Sequence, residues 1–345
     1  MSNLEFIIGK KEEIPSKYLL DLFELMQKNR EEILKIKPPT LEFFKQNWIV
    51  ALPEEEMKQY VIAVNDEKIV GYGYFSWNIK YDNLDRGYFW LFVLKEERRK
   101  HLGTKILQQL IRLCPPQVTI IGTEIFENSD GKEFIKTFKS KEKYIDVLSS
   151  SNITLFDPKE VQQEAEKLRL QALEKGYEII FIDECEFVLH LDLPKYIQMV
   201  EEIWNDMPRE ELTYEDDVLT IERFLQMVQR EQLYGAHKYT FVAIHKETNT
   251  PIGLTSSVVN KYHSDIAEQY DTGVLKEHRG KGLGLALKYQ MLNKLLKDTE
   301  AKFWRTGNAG SNEYMLRINR LMKYEPYTRV FIYEFPKEDL EKMLK

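Results

Sequence analysis

Apolar positions along this chain recur with two periods, near two and near four residues, and the periods alternate in the same order twice. Residues 4–8 form a short apolar run that predicts a first strand. Over 15–27, Tyr18, Leu19, Leu22, Leu25 and Met26 fall at helical spacing and predict an amphipathic helix. Residues 43–50 read as a second, helical or mixed piece. Alternation over 60–64 and 69–77 predicts two strands joined by a hairpin turn at 65–68. An aromatic strand over 87–94 then leads through a charged turn into a helix ending near 113. Strands follow over 118–126 and 152–156. The polar stretch 158–175 predicts a helix stopped by Gly176.

The second half repeats this order. Strands are predicted over 177–182, 239–245, 252–259, 266–275, 301–306 and 328–335, with helices over 194–204, 220–232, 283–296 and 312–322. At a shift of 181 residues, the segment 93–103 lies over 274–284, and eight of eleven positions are identical. Flanking sequence does not align as strongly, but the match falls at the same place in the same order of elements. That pattern indicates duplication of one unit. The expected division is a first domain over 1–157, a connecting helix over 158–176 and a second domain over 177–345.

Composition narrows the class. With 43% hydrophobic and 30% charged residues, the 345-residue chain reads as an ordinary globular protein of about two domains. A formal net charge of −7 disfavours nucleic acid as the main partner. Cys114 and Cys185 are too few for a disulfide framework or a cysteine-based zinc site. No histidine has metal-binding spacing, so no metal is expected. No apolar run is long enough for a membrane span, and no signal-peptide pattern opens the chain, which makes a cytoplasmic protein the default.

The chemistry concentrates at Val274-Leu275-Lys276, followed by Arg279-Gly280-Lys281-Gly282-Leu283-Gly284. Here a strand end meets a glycine turn and the first turn of a helix. Glycines let the backbone curl so that several N–H groups point one way, and the helix start adds its own unpaired N–H groups. Such a turn suits a phosphate or pyrophosphate.

On these residues the chain resembles the GNAT superfamily of acyl-CoA N-acyltransferases. Arg279 to Gly284 fits that superfamily's turn signature in full. Asn312 matches its helix-opening asparagine, one strand later. The tandem layout is similar to that of mycothiol synthase relatives. The resemblance implies an α/β (α+β) fold of two GNAT-like domains, each a mixed, twisted sheet flanked by helices. It also implies acetyl-CoA as cosubstrate, with Val274, Leu275, Lys276, Arg279, Gly280, Lys281, Gly282, Leu283, Gly284 and Asn312 as its contacts. A small-molecule or peptide amine would be the acetyl acceptor.

Glu268 stands where the family often keeps a general base, and is either that base or a surface glutamate. Asn312 either binds the cosubstrate region or caps its helix. Asn319 occupies the position of the family's usual acidic tyrosine, and Tyr314 and Tyr324 do not match that position. This departure keeps open an alternative, a noncatalytic acyl-CoA-binding sensor or scaffold. In the first domain, Arg99 and His101 replace Gly280 and Gly282. A side chain at either place would crowd a phosphate, so that domain is expected to be mainly structural. The acceptor's identity and the oligomeric state stay open.

Overall fold

The computed structural model describes residues 4–34, 40–50, 53–183 and 191–345. Cys185 and His190 lie outside the described residues. The chain divides into two compact units. The first comprises Met1–Asp146, Arg209–Glu215 and Thr328–Lys345. The second comprises Val147–Pro208 and Asp216–Tyr327.

In the first unit, strands β1 (Leu4–Gly9), β2 (Glu56–Asn65), β3 (Lys68–Asn78), β4 (Arg86–Val93) and β5 (Ile120–Phe126) stand in order. The last strand of the chain, β12 (Glu325–Pro336), follows β5. All neighbours are antiparallel except β4 and β5. Alternation along β2 sends Val61 and Ala63 to one core and Ile62 and Val64 to the other. Helices α1 (Leu19–Leu34) and α2 (Leu41–Ile49) cover one face. Helices α3 (Leu102–Arg112) and α4 (Gly131–Lys136) cover the other.

The second unit repeats the plan. It contains α5 (Pro158–Glu174), β7 (Tyr177–Asp183), α6 (Leu193–Asn205), α7 (Ile221–Leu233), β8 (Ala236–His245), β9 (Thr250–Asn260), β10 (His263–Val274), α8 (Leu283–Asp298), β11 (Phe303–Ala309) and α9 (Glu313–Leu321). Its strand order is β7-β8-β9-β10-β11, again with one parallel pair, β10 and β11. Phe241 and Ala243 pack toward α8, and Val242 and Ile244 pack toward α6 and α7.

Three expectations change. The strand expected over 152–156 is instead β6 (Glu142–Asn152), followed by a 3-10 turn at Ile153–Leu155. The Asn152 side chain accepts the Thr154 N–H, which draws the backbone out of the extended form. Helix α5, expected as a connector, is part of the second unit. It buries Val161 and Ala172 in the α8 core, and its Ala165 carbonyl accepts a bond from Gln290 at 2.7 Å. Residues 328–345, expected in the second domain, complete the first unit. There β12 pairs with β5 from Val330↔Phe126 to Pro336↔Ile120, and α10 (Lys337–Met343) follows it.

Candidate active site

Each unit contains a parallel strand pair that separates after three residues. In the second unit, pairing of β10 with β11 runs from Ile266↔Phe303 to Glu268↔Arg305 and stops. In the first, pairing of β4 with β5 runs from Arg86↔Ile120 to Tyr88↔Gly122 and stops. Beyond those points the strands part. The resulting gap leads to the turn that joins strand to helix.

The two turns have one backbone shape. Gly280 and Gly282 hold φ of 76° and 85°, and Arg99 and His101 hold φ of 61° and 60°. Arg279 Nε donates to Val274 O at 2.8 Å, and Arg98 Nε donates to Val93 O at 2.9 Å. The substitution of glycine therefore left the left-handed turn intact and put side chains on it. A non-glycine residue in this conformation is uncommon and strained. In the second unit, a Cβ added at Gly280 or Gly282 would meet nothing within 4 Å, so the space before the turn is open. An open concave turn at a helix N-terminus fits a diphosphate group.

Charge around the second turn is organised by Asp206, which follows α6. It pairs with both Lys276 and Arg279. Burial pushes its carboxyl up, and the hydrogen bonds from Lys276 and Arg279 outweigh this, so the net shift is downward. Lys281 bends back onto Tyr177, contacting its hydroxyl and lying 4.9 Å from its ring centre. The Tyr177 hydroxyl shares a 2.9 Å hydrogen bond with His278 Nδ1. Burial, then Lys281 and His245, push the His278 imidazole below its ordinary value. Two main-chain groups named from sequence are already engaged: Val274 O by Arg279, and Leu275 N–H by Ile252 O at 2.9 Å. Leu283 and Gly284 open α8, where both are buried.

Asn312 is the N-cap of α9, accepting the Met315 N–H at 3.2 Å. This is the capping use of that residue. Asn319 is buried, and its Nδ2 donates to Asn308 Oδ1 at 2.6 Å. Tyr314 reaches toward the turn from α9: a Cβ on Gly284 would lie 3.3 Å from its hydroxyl.

Glu268 is 51% exposed, and its carboxylate lies 3.8 Å from Arg305 Nη1. About half of the side chain is thus open to solvent. A second carboxylate on the same strand is more enclosed. Burial pushes Asp271 up, Lys238 and the Trp204 side chain pull it down, and Glu231 adds to the rise. Sequence reasoning passed over Asp271 because strand parity fails here. A register shift between Gln269 and Thr272 marks a bulge in β10, and Ala267 and Val274 face one core although one is at an odd and the other at an even position. Gln269 fills the bulge. Its amide donates to Ser256 O at 2.6 Å, Asp271 O at 2.9 Å and Thr272 Oγ1 at 3.1 Å, and accepts from Ser257 Oγ at 3.1 Å. The pairing of β3 with β4 in the first unit has no such shift.

Among the described residues, no group of three or more His, Cys, Asp or Glu side chains is placed to hold a metal ion. Among the same residues, no helix is long and apolar enough to cross a membrane.

Comparison with solved structures gives the same architecture. A tandem GNAT protein from the clavulanic acid biosynthesis pathway aligns with a TM-score of 0.75 at 18% identity, covering 97% of this chain and 99% of its own. A GCN5-related N-acetyltransferase from Sphaerobacter thermophilus aligns with a TM-score of 0.64 at 15% identity, covering 96% of each chain. A putative acetyltransferase from Pyrococcus horikoshii aligns with a TM-score of 0.54 at 12% identity, covering 96% of this chain and 89% of its own. At these identities the likeness speaks for the fold. A sequence search of curated proteins gave no match. The family model for Acetyltransferase (GNAT) matches twice, over residues 19–130 and 197–317. With both matches spanning most of the chain and a strand gap beside a left-handed turn in each unit, the protein belongs to the GNAT acetyltransferase family, as a tandem of two such units.

Proposed function

We propose that the protein is an N-acetyltransferase that moves an acetyl group from acetyl-CoA to a primary amine, with the cosubstrate held by the second unit. The observation that carries this reading is the open left-handed turn at Gly280 and Gly282, set beside the gap between β10 and β11. Bound acetyl-CoA would supply an activated thioester for direct attack by the amine. Backbone N–H groups from Arg279 to Gly284 would hold its diphosphate, with Lys276, Arg279 and Lys281 adding positive charge. The main chain of Val274, Leu275 and Lys276 would lie along its extended arm, as an added strand lies along a sheet edge. Asn312 fixes the start of α9 across from the turn. Holding an amine against a thioester supplies much of the rate enhancement through proximity.

A carboxylate on β10 would take the proton from the attacking ammonium. Glu268 is the candidate named from sequence, and Asp271 is the candidate favoured by enclosure. We retain the cytoplasm as the expected setting.

The test is calorimetric titration with acetyl-CoA. About one site per chain is expected, with affinity falling at least about tenfold in Gly282→Trp. Unchanged binding and turnover in that variant would remove the assignment. Tight binding without turnover across a broad amine panel would favour an acyl-CoA sensor, the reading that Asn319 motivates.

A further inference from the structure

The three cations beside the second unit's turn are all held by the chain itself. Asp206 pairs with Lys276 and Arg279, and Tyr177 takes Lys281. The Tyr177 contact differs from the other two, because it holds a cation without a carboxylate. Tyr177 opens β7 and is 2% exposed. Its hydroxyl meets both Lys281 Nζ and His278 Nδ1, the latter at 2.9 Å.

The repeat shows that this arrangement is particular to the second unit. At the shift of 181 residues, Lys100 stands for Lys281 and Glu97 for His278. There Glu97 Oε2 accepts directly from Lys100 Nζ at 3.1 Å. An ordinary carboxylate stays charged near neutral pH, whereas an imidazole changes charge there.

Donor and acceptor capacity fixes the order of the bonds around Tyr177. An ammonium only donates, so the Tyr177 oxygen accepts from Lys281. The hydroxyl proton then goes to His278 Nδ1, which can accept it only while the imidazole is neutral. Once His278 is protonated, both ring nitrogens donate, and Nδ1 competes with Lys281 for one oxygen. Two cations would then face a single hydroxyl, and like charges repel.

The surroundings favour the neutral imidazole. Burial first, then Lys281 and His245, push the His278 imidazole below its ordinary value, and Glu277 opposes them. The His245 ring lies 5.3 Å from that of His278, and its Nδ1 shares a 3.0 Å hydrogen bond with Thr248 Oγ1. Lys175, just after α5, donates to Lys281 O at 2.9 Å, which ties the main chain of Lys281 independently of its side chain.

We propose that Tyr177 is a positioning residue for acetyl-CoA binding, a latch whose hydroxyl holds the Lys281 ammonium while His278 is neutral and gives it up to the diphosphate as His278 takes a proton. The inference rests on the acetyl-CoA reading of this turn. Linkage makes it reciprocal: a ligand that draws Lys281 away must raise proton affinity at His278, and a proton on His278 must tighten the ligand.

The test is an NMR titration of the imidazoles of the full chain, with the His278 signal identified by its loss in His278→Gln. In the free chain the His278 midpoint should rise by about half a pH unit or more in Lys281→Met. Saturating acetyl-CoA should raise it by a similar amount in the native chain, and by less in Lys281→Met. Calorimetry should show the native affinity for acetyl-CoA, taken relative to Lys281→Met at each pH, improving about threefold or more as pH falls through that midpoint. The ratio cancels any titration of the ligand's own phosphate. Tyr177→Phe keeps the ring, and above the midpoint it should bind acetyl-CoA about threefold more tightly with kcat unchanged. A His278 midpoint that moves neither in Lys281→Met nor with acetyl-CoA bound would overturn the latch alone, as would weaker binding by Tyr177→Phe. No binding of acetyl-CoA by the native chain would remove the cosubstrate reading and the latch with it.

Discussion

Lys288 is fully buried in α8, and its Nζ finds no hydrogen-bond partner among the described residues. It lies 4.6 Å over the Trp304 ring and 5.4 Å from that of Tyr324. Burial lowers its pKa to about 7 from the ordinary lysine value of 10.5. Between those two values the unfolded chain holds the proton and the folded chain does not. Stability therefore rises with pH through that window and is flat below it. Lys288→Met should add roughly 1–4 kcal/mol at neutral pH. It should also abolish the rise in melting temperature between neutral and alkaline pH, a result that thermal unfolding at several pH values checks. The helical period did carry this signal, since 284, 287, 288, 291, 292 and 295 fall on one face and all are buried. What the period could not say was that the residues opposite are Trp304 and Tyr324. At the same scale, Asp271→Asn should lower kcat by about 100-fold or more if Asp271 is the base, while Glu268→Gln should change it little. Burial raises the Asp271 carboxyl, and a base works only when deprotonated. The acid limb of activity should then lie at a higher pH than an ordinary aspartate would give, as a kcat profile against pH would show.

Among the elements, β10 carries more than its neighbours because its bulge is held by one side chain. Gln269 sits among Thr255, Ser256, Ser257, Asp271 and Thr272, and Ser257 also accepts from Trp304 at 3.0 Å. Gln269→Leu removes these bonds and strands several buried polar groups. It should cost about 1–3 kcal/mol of stability and lower kcat more than it raises KM, measured by steady-state kinetics and thermal melts. The turn at Arg279 to Gly284 was legible in the sequence because its three glycines fall within the repeated segment 274–284 and fit a turn signature in full. The bulge was not, since nothing in Gln269-Tyr270-Asp271-Thr272 breaks the alternation expected of a strand. The conserved shape of the first unit's turn was also hidden. Arg99 and His101 pointed to a crowded phosphate site and gave no sign that the backbone would keep φ of 61° and 60°.

For the whole molecule, duplication was legible and the path of the chain through it was not. Periodicity located β12, but no local pattern says which open strand edge a terminal strand will join. It joins β5, and α10 buries Leu340, with Leu344 just after it, in the core beneath. A chain ending at Tyr327 should therefore lose the first unit's melting transition, or shift it down by roughly 10 °C or more, while acetyl-CoA binding by the second unit persists. Differential calorimetry with and without acetyl-CoA would resolve the two.

The pairing of Phe331 with Ile125 also sets an order of events in the cell. A ribosome makes the N-terminal half first, and most multidomain chains let that half fold while the rest is still being synthesised. Here the first unit's sheet cannot close until a segment about 200 residues downstream has left the exit tunnel. The second unit, complete by Tyr327, would be the earlier to finish. During synthesis the edge of β5 would wait unpaired, the interval in which a nascent chain most needs a chaperone.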